Sequence, residues 1–326
     1  MKTGHASLLS ILADGERHSG EILADQLNIS RAAVWKSIKR LESFGLEIEA
    51  ERGKGYQLKR PVELLSAEKI QQSLPLEVAK TCREIDVLFK TDSTNSALFN
   101  RLSEQQIHGH AVFAEYQSQG RGRRDNQWLA PLGSGLMLSI GWRFNIAPQT
   151  LGLLSLFIGV AVARSLQSQD IKKVGLKWPN DIVVQGKKIA GILLELRGET
   201  NGPVDVVIGI GMNYELPEGL ESQIKRPITD ICTHTNEKIS RNEFAAILLM
   251  NVFEILKKVE VSDCLELLEE WRRLDYFIEQ QAKLILPNEE VEGILKGVDD
   301  QGLLLMSVAG NIKRFNAGEV SLRVSS

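Results

Sequence analysis

Cysteine is scarce. Three residues, Cys82, Cys232 and Cys264, are scattered along the chain with no paired spacing. That excludes a disulfide framework or a cysteine-held zinc, and leaves three packing thiols in a reducing compartment. Long apolar runs are missing as well. The longest, Leu151 to Ala163, is 13 residues broken by glycines and a serine; crossing a bilayer takes roughly 20, so this run predicts a buried helix and no membrane partner. The first residues lack the cationic head and apolar core of a secretory signal, so a cytoplasmic protein is expected. A net charge of -3 excludes a chain that is polybasic throughout, though not a basic module within it. His108 and His110 stand two apart with no third ligand near, the pattern of a surface pair, and no fixed metal site is expected. No Gly-Lys-Ser/Thr closes a Walker loop, no dinucleotide fingerprint opens a helix, and no Ser-His-Asp or Cys-His set stands out.

What is present is the composition of a folded chain, with 43% hydrophobic and 25% charged residues excluding disorder. At 326 residues it exceeds the roughly 250 to 300 that one core supports, so two or three units are expected. The first 60 residues hold ten Lys and Arg against eight Asp and Glu, which makes this stretch the basic part of an acidic whole. Leu8, Leu9, Ile11 and Leu12 predict a short helix ending at Asp14-Gly15. Glu21 to Leu27 predicts a second, and after the turn Asn28-Ile29-Ser30, Ser30 caps a third from Arg31 to Ser43. Val34, Ile38 and Leu41 give that helix a core face, while Arg31, Lys36, Lys39 and Arg40 give it a basic one. Leu46 to Glu51 and Tyr56 to Leu58 then flank Arg52-Gly53-Lys54-Gly55, a hairpin with a basic tip. A plain three-helix module with a solvated face is the alternative, but helix, turn, basic helix and basic wing together favour a winged helix-turn-helix on DNA. The candidate contacts are Ser30, Arg31, Ala32, Ala33, Trp35, Lys36, Lys39 and Arg40 on the helix and Arg52 and Lys54 on the wing.

Past a linker at Pro61, Leu64 to Leu74 predicts a helix capped by Ser66, and from Ile85 strands and helices interleave. Strands are expected at Val87 to Lys90, Ala111 to Tyr116, Leu136 to Trp142 and Val204 to Ile210. Helices are expected before Leu102, from Gln149 to Gln167, from a Ser240/Glu243 capping box to Val259, and from Cys264 to Tyr276. The mixture implies an α+β fold, a mixed sheet with helices packed on one side. Short strands at 282–286, 291–298, 302–308 and 311–315, separated by turns, imply a small β-barrel at the end. The expected units are residues 1–62, 63–276 and 277–326.

Chemistry concentrates between Lys177 and Leu194. Pro179 with Asn180 and Asp181 makes a bend, Ile182 to Val184 a strand, Gln185-Gly186-Lys187 a three-residue loop, and Lys188 to Leu196 the return strand. Alternation places Lys188 on the face of Ala190, with Gly191 leaving room for close approach, so the lysine either meets an anion or lies at a solvated strand end. Gly120-Arg121-Gly122-Arg123-Arg124 follows a strand and offers three guanidiniums on a glycine-loosened backbone. Such a loop grips phosphate or carboxylate and orders on binding; an arginine-glycine nucleic-acid segment is the alternative. Ser93, Thr94 and Asn95 are uncharged donors and acceptors that suit a urea or amide head, or equally a helix cap. The glycines of Val207 to Asn213 point to a strand whose backbone abuts a ligand.

Together these motifs resemble the bacterial biotin protein ligases that are also biotin operon repressors. The resemblance rests on HSGEILADQLNISRAAVWKSI, DSTN, EYQSQGRGRR, KWPNDIVV, GKKIAGILLEL, GIGMN and the terminal GEVSLR, and it spans nearly the whole chain. It implies a class II synthetase-like central domain and an SH3-like final barrel. It also implies a two-step reaction with biotin, ATP and Mg2+: formation of biotinyl-5'-AMP and pyrophosphate, then transfer to a lysine of the biotin carboxyl carrier protein of acetyl-CoA carboxylase. By matching motif, Ser93, Thr94, Asn95 and Gln117 hold the biotin head, with Gly122 beside it. Arg121 and Arg123 order over carboxylate and phosphate, and Lys188 bridges them. Lys177, Asn180, Asp181 and Asn213 lie by the nucleotide or its magnesium, and Arg323 closes the site. The adenylate is then also the corepressor of a homodimer on operator DNA. A regulator that binds biotin or its adenylate without transferring it is the rival reading. The chain departs from the family where Asp125-Asn126-Gln127 precedes Trp128: an acid there lowers the local field and a lost glycine restricts closure, so weaker adenylate retention or altered dimerisation, rather than loss of activity, is expected.

Overall fold

Among the residues described by the computed structural model (4–102, 106–124, 126–145, 148–198, 203–224, 226–261, 264–286, 289–317 and 321–324), the strands assemble into three sheets. The chain opens with helices α1 (Gly4–Leu12), α2 (Gly20–Leu27) and α3 (Arg31–Glu42), followed by the hairpin β1 (Ile48–Glu51) and β2 (Gly55–Leu58). Ser19 and Ser30 cap α2 and α3 through their hydroxyls, and Asn28 ends α2 in the left-handed conformation that turns the chain between them. Leu8, Leu9, Leu12, Leu23, Val34, Ile38 and Leu41 close a core of their own.

The central part contains α4 (Ala67–Ser73), α5 (Leu76–Ala79), β3 (Glu84–Leu88), α6 (Thr94–Arg101), β4 (His110–Ala114), β5 (Gly135–Phe144), α7 (Leu154–Gln167), β6 (Val174–Lys177), β7 (Asp181–Val184), β8 (Lys187–Gly198), β9 (Val204–Asn213), α8 (Leu220–Ile224), α9 (Arg241–Val261) and α10 (Leu265–Leu274). Its seven strands run in the order β3-β4-β5-β9-β8-β7-β6, with β3 and β4 parallel and the remaining pairs antiparallel. Even-numbered residues of β5 and β9, from Leu136 to Phe144 and Val204 to Met212, pack with α7, α9 and α10 in the main core. The expectation of helices on one side is corrected here. On the opposite face Leu98 of α6 packs against Val112 and Val207, because a strand whose two faces are both apolar needs cover on both.

Two local readings also change. The hairpin loop between β7 and β8 has two residues, Gln185 and Gly186, since Val184 pairs with Lys187. Both have positive φ, +52° and +79°, which a type I′ turn requires. The bend at Pro179 keeps its place, KWPND being the turn that joins β6 to β7. His108 and His110 are not a surface pair: His110 is buried, and the His108 ring lies 4.2 Å from that of Trp142.

The last part contains β10 (Gln281–Ile285), β11 (Glu290–Val298), β12 (Leu304–Val308), β13 (Asn311–Phe315) and β14 (Ser321–Val324). They form an antiparallel sheet in the order β13-β12-β11-β10-β14, and no pairing joins β13 to β14 among the described residues. Leu284, Leu295, Leu304 and Met306 merge with the main core. The helical amino-terminal part docks just as firmly. Phe44, at the end of α3, lies 4.7 Å from the Tyr116 ring and accepts a hydrogen bond from the Leu132 backbone. The linker is clamped by Arg241, which donates to the Glu63 carbonyl, to Glu115 Oε2 at 3.0 Å and to the Gly135 carbonyl at 2.8 Å. Both charged partners are buried there, so each depends on the other.

Candidate active site

The face of the central sheet turned away from α7 and α9 is nearly without side chains at its middle. Strand register sets Lys177, Asp181, Gly191, Gly211 and Met137 in one row and Leu193, Gly209 and Ser139 in the next. The glycines make a floor on which other groups lie directly. A Cβ at Gly209 would stand 2.5 Å from Asn95 Oδ1, and one at Gly211 would stand 2.6 Å from the Trp128 ring. Trp128 therefore covers the floor, yet its indole N–H is buried without a partner, a cost of about 1–3 kcal/mol for a donor left unmet.

At one end of the floor lie the uncharged groups. Ser93 starts α6 without a side-chain cap, so the cap reading of this cluster gives way to a buried polar network. The Thr94 backbone N–H and hydroxyl donate to Gln117 Oε1 at 2.8 and 3.1 Å. Ser139 Oγ sits between Thr94 Oγ1 at 2.7 Å and Asn95 Oδ1 at 2.5 Å. Asn95 Nδ2 donates to Glu195 Oε2 at 2.6 Å and to the Leu193 carbonyl at 3.4 Å. Ser139 and Glu195 escape a reading of the sequence, because each looks like an ordinary strand residue until the register puts it opposite α6.

At the other end are the cations. Simple alternation would turn Lys188 to the face of Ala190, which is the core face. The pairing shifts instead: Ile182 faces Ala190 and Val183 faces Lys188, leaving Ile189 as an extra residue. That bulge buries Ile189 and Ala190 together and turns Lys188 onto the glycine face. There its Nζ donates to Asp181 Oδ1 at 2.6 Å and lies 5.5 Å from the Trp128 ring centroid. The segment after α8 runs alongside, with Lys188 N donating to the Pro227 carbonyl and Thr229 N donating to the Lys188 carbonyl. Lys177 holds its Nζ 5.4 Å from the Phe277 ring. Burial lowers its proton affinity and Lys188 and Arg226 add repulsion, with Asp181 opposing both.

The arginine loop is more ordered than its glycines imply. Arg121 bridges to Gln127, Gly122 N donates to the Asn126 carbonyl at 2.7 Å, and Asn126 Nδ2 donates to the Arg123 carbonyl at 2.8 Å. Arg121 Nη2 reaches Glu195 Oε2 at 3.1 Å and Ser96 Oγ at 3.3 Å. Arg123 donates to the Ala317 carbonyl just after β13, and its proton affinity is lowered by burial and by Arg124. Asp125 lies outside the described residues. Asn180 and Asn213 act on the backbone: Asn180 Nδ2 donates to the Ile192 carbonyl at 2.7 Å, and Asn213 Nδ2 to that of Thr229 at 2.9 Å. Arg323 is paired through its backbone with Lys283 in β14 and β10.

The amino-terminal helices present their own face. Arg31, Ala32, Trp35, Lys36, Lys39 and Arg40 are exposed on α3, and Arg52 and Lys54 are exposed at the hairpin tip. Ser30 is spent on the Ala33 N–H. Lys39 pairs with Glu42 at 2.7 Å, and the Arg40 guanidinium lies 4.9 Å from the Phe44 ring, both at the end of α3 that meets the central sheet.

Comparison with known proteins finds matches in all three parts of the chain. Residues 5–57 match an HTH domain, residues 88–213 the Biotin/lipoate A/B protein ligase family, and residues 277–323 the Biotin protein ligase C terminal domain. A bifunctional ligase/repressor BirA of Salmonella typhimurium is 39% identical over 97% of this chain and 97% of its own length. That of Bacillus subtilis is 31% identical over 95% of each. Among solved structures, a biotin protein ligase from Aquifex aeolicus in complex with biotin and ATP superposes with a TM-score of 0.62 at 30% identity, covering 74% of this chain and all of that one.

Proposed function

The chain belongs to the family of bifunctional biotin ligase/repressors, and from that premise we propose how its parts divide the work. Residues 63–276 are the biotin/ATP unit, residues 1–62 the DNA-binding unit, and residues 277–326 a small SH3-like barrel that closes over the nucleotide. The protein is a biotin protein ligase and a repressor. In the first step the biotin carboxylate oxygen attacks the α-phosphorus of ATP, the bond to the β-phosphate oxygen breaks, and biotinyl-5'-AMP and pyrophosphate form. In the second, the amine of a carrier lysine attacks the acyl carbonyl, gives up a proton, and AMP leaves.

The observation that carries this reading is the bulge at Ile189, which turns Lys188 onto the glycine face of the sheet, where Trp128 lies over Gly211, Arg121 meets Glu195, and Thr94 and Gln117 hold the uncharged end. Joining two anions requires fixed positive charge at the reacting oxygens and no enzyme nucleophile. Lys188 supplies it from a strand, and Arg121 and Arg123 from the loop over it. Ser93, Thr94 and Gln117 suit the neutral ureido head, with Asn95 setting their network from behind. Asp181 is the carboxylate beside Lys188. One carboxylate suits a magnesium that arrives on the phosphates and keeps its waters, and such an ion neutralises phosphate charge when bound. Lys177, Asn180 and Asn213 serve the nucleotide side, and the family resemblance assigns Arg323 to it as well.

On DNA, the exposed face of α3 enters the major groove and Arg52 and Lys54 lie on the backbone. The partner in repression is a second copy. β8 pairs with β7 only as far as Gly191, so its residues 193–198 have an open edge on that side among the described residues, with Leu196 half exposed. An open edge of this kind adds a strand from another chain. The adenylate is the corepressor and the carrier is that of acetyl-CoA carboxylase, in the cytoplasm. Incubation with ATP, magnesium, biotin and a biotin carboxyl carrier domain, read by intact mass, is expected to add one biotin to the carrier lysine. A carrier of unchanged mass, with biotin bound to the protein, would make it a sensor without transfer.

A further inference from the structure

Glu195 is the acid that the reaction does not call for. It stands on β8 on the glycine face, in a site meant to receive a carboxylate and phosphates, and one oxygen, Oε2, takes both Asn95 Nδ2 at 2.6 Å and Arg121 Nη2 at 3.1 Å. Through Asn95 it continues the network Gln117, Thr94, Ser139 and Asn95 that orders the uncharged end. Through Arg121 it occupies the cation that a ligand carboxylate needs. Lys188 on Asp181 and Arg123 on the Ala317 carbonyl are occupied in the same way, so each of the three cations rests on an acceptor of the protein itself.

We propose that Glu195 is a positioning residue of the ligation site: it fixes the Asn95 amide and parks Arg121 on an internal carboxylate that the substrate anion must displace. This deepens the ligase reading and rests on it. The Arg121 and Glu195 side chains are 46% and 27% exposed, so the pair contributes modestly and is exchangeable, as a parked contact must be. Glu195→Gln keeps an acceptor for Asn95 but removes the charge that holds Arg121. Glu195→Ala removes both functions.

The full-length protein and both variants are assayed for biotin KM, kcat and the dissociation rate of preformed biotinyl-5'-AMP, with melting curves as a folding control. For Glu195→Gln, KM for biotin falls and adenylate release slows, each by about two- to fivefold, with the gain in KM rather than kcat. For Glu195→Ala, KM rises, because the Asn95 network loses its anchor. A residue with a merely structural role would raise KM in both. An unchanged or raised KM in Glu195→Gln overturns the proposal alone, whereas a wild-type protein that forms no adenylate overturns the ligase reading beneath it.

Discussion

Lys188 concentrates the chemistry of the molecule in one side chain, and its surroundings explain why a charge is tolerated on a strand. It is part-buried, paired with Asp181 at 2.6 Å, and lies over Gly191 on the glycine face with its amine 5.5 Å from the Trp128 ring centroid. A ligand that brings a carboxylate and a phosphate to that face meets an ammonium already held in place on a strand. Lys188→Ala is accordingly expected to cut the rate of adenylate formation by about two orders of magnitude or more. The melting temperature should stay near that of the parent, and pyrophosphate release alongside a thermal melt checks both. The oddity of this lysine was legible in the sequence. The face it adopts was not, since strict alternation turns it toward the core and only the extra residue Ile189 turns it back.

Among elements, the helices were the most legible, because their caps and periodicity are local. Ser30 accepts from the Ala33 N–H, and Val34, Ile38 and Leu41 are buried as their spacing requires. The opposite face of α3 is exposed, so a substitution there tests DNA contact without touching the core. Lys36→Ala is expected to weaken operator binding about equally across sequence variants and to lower the slope of log affinity against log salt by about 1. Binding titrations at several salt concentrations measure that slope, and an unchanged slope would remove Lys36 from the phosphate contacts. Strands were less legible. β6 is four residues containing a glycine and a lysine, too short for alternation to register, and its identity rests on pairing with β7.

For the whole molecule, the junction from α10 into the last sheet carries a pH-sensitive group. Asp275 is pushed up to about 6 by burial, against an ordinary 3.8, with a hydrogen bond from the Phe277 N–H opposing the shift. The folded state therefore holds a proton that the unfolded chain releases between about pH 4 and pH 6. Stability from this residue falls as pH rises through that window, and the whole penalty is present above it. Asp275→Asn is expected to raise stability at pH 7 by up to about 3 kcal/mol and to have no effect near pH 3. Denaturant melts of the two proteins at both pH values decide it, and equal stability at pH 7 would exclude the buried carboxyl as a destabilising group. Contacts also join the three parts: Arg241 ties the linker to the end of β4, and the last sheet shares the main core.

The order of the parts, the winged helices, the arginine loop and the KWPND turn were determined by the sequence alone, because caps, turns and motif spacing act over a few residues. Only the tertiary structure decided which groups meet. Glu195 and Ser139 join Asn95 across long separations in the chain, and Trp128 lies on Gly211 because the loop folds back over the sheet. Register across strands far apart in sequence sets those contacts, and a shift of one residue exchanges the faces, which no local pattern encodes.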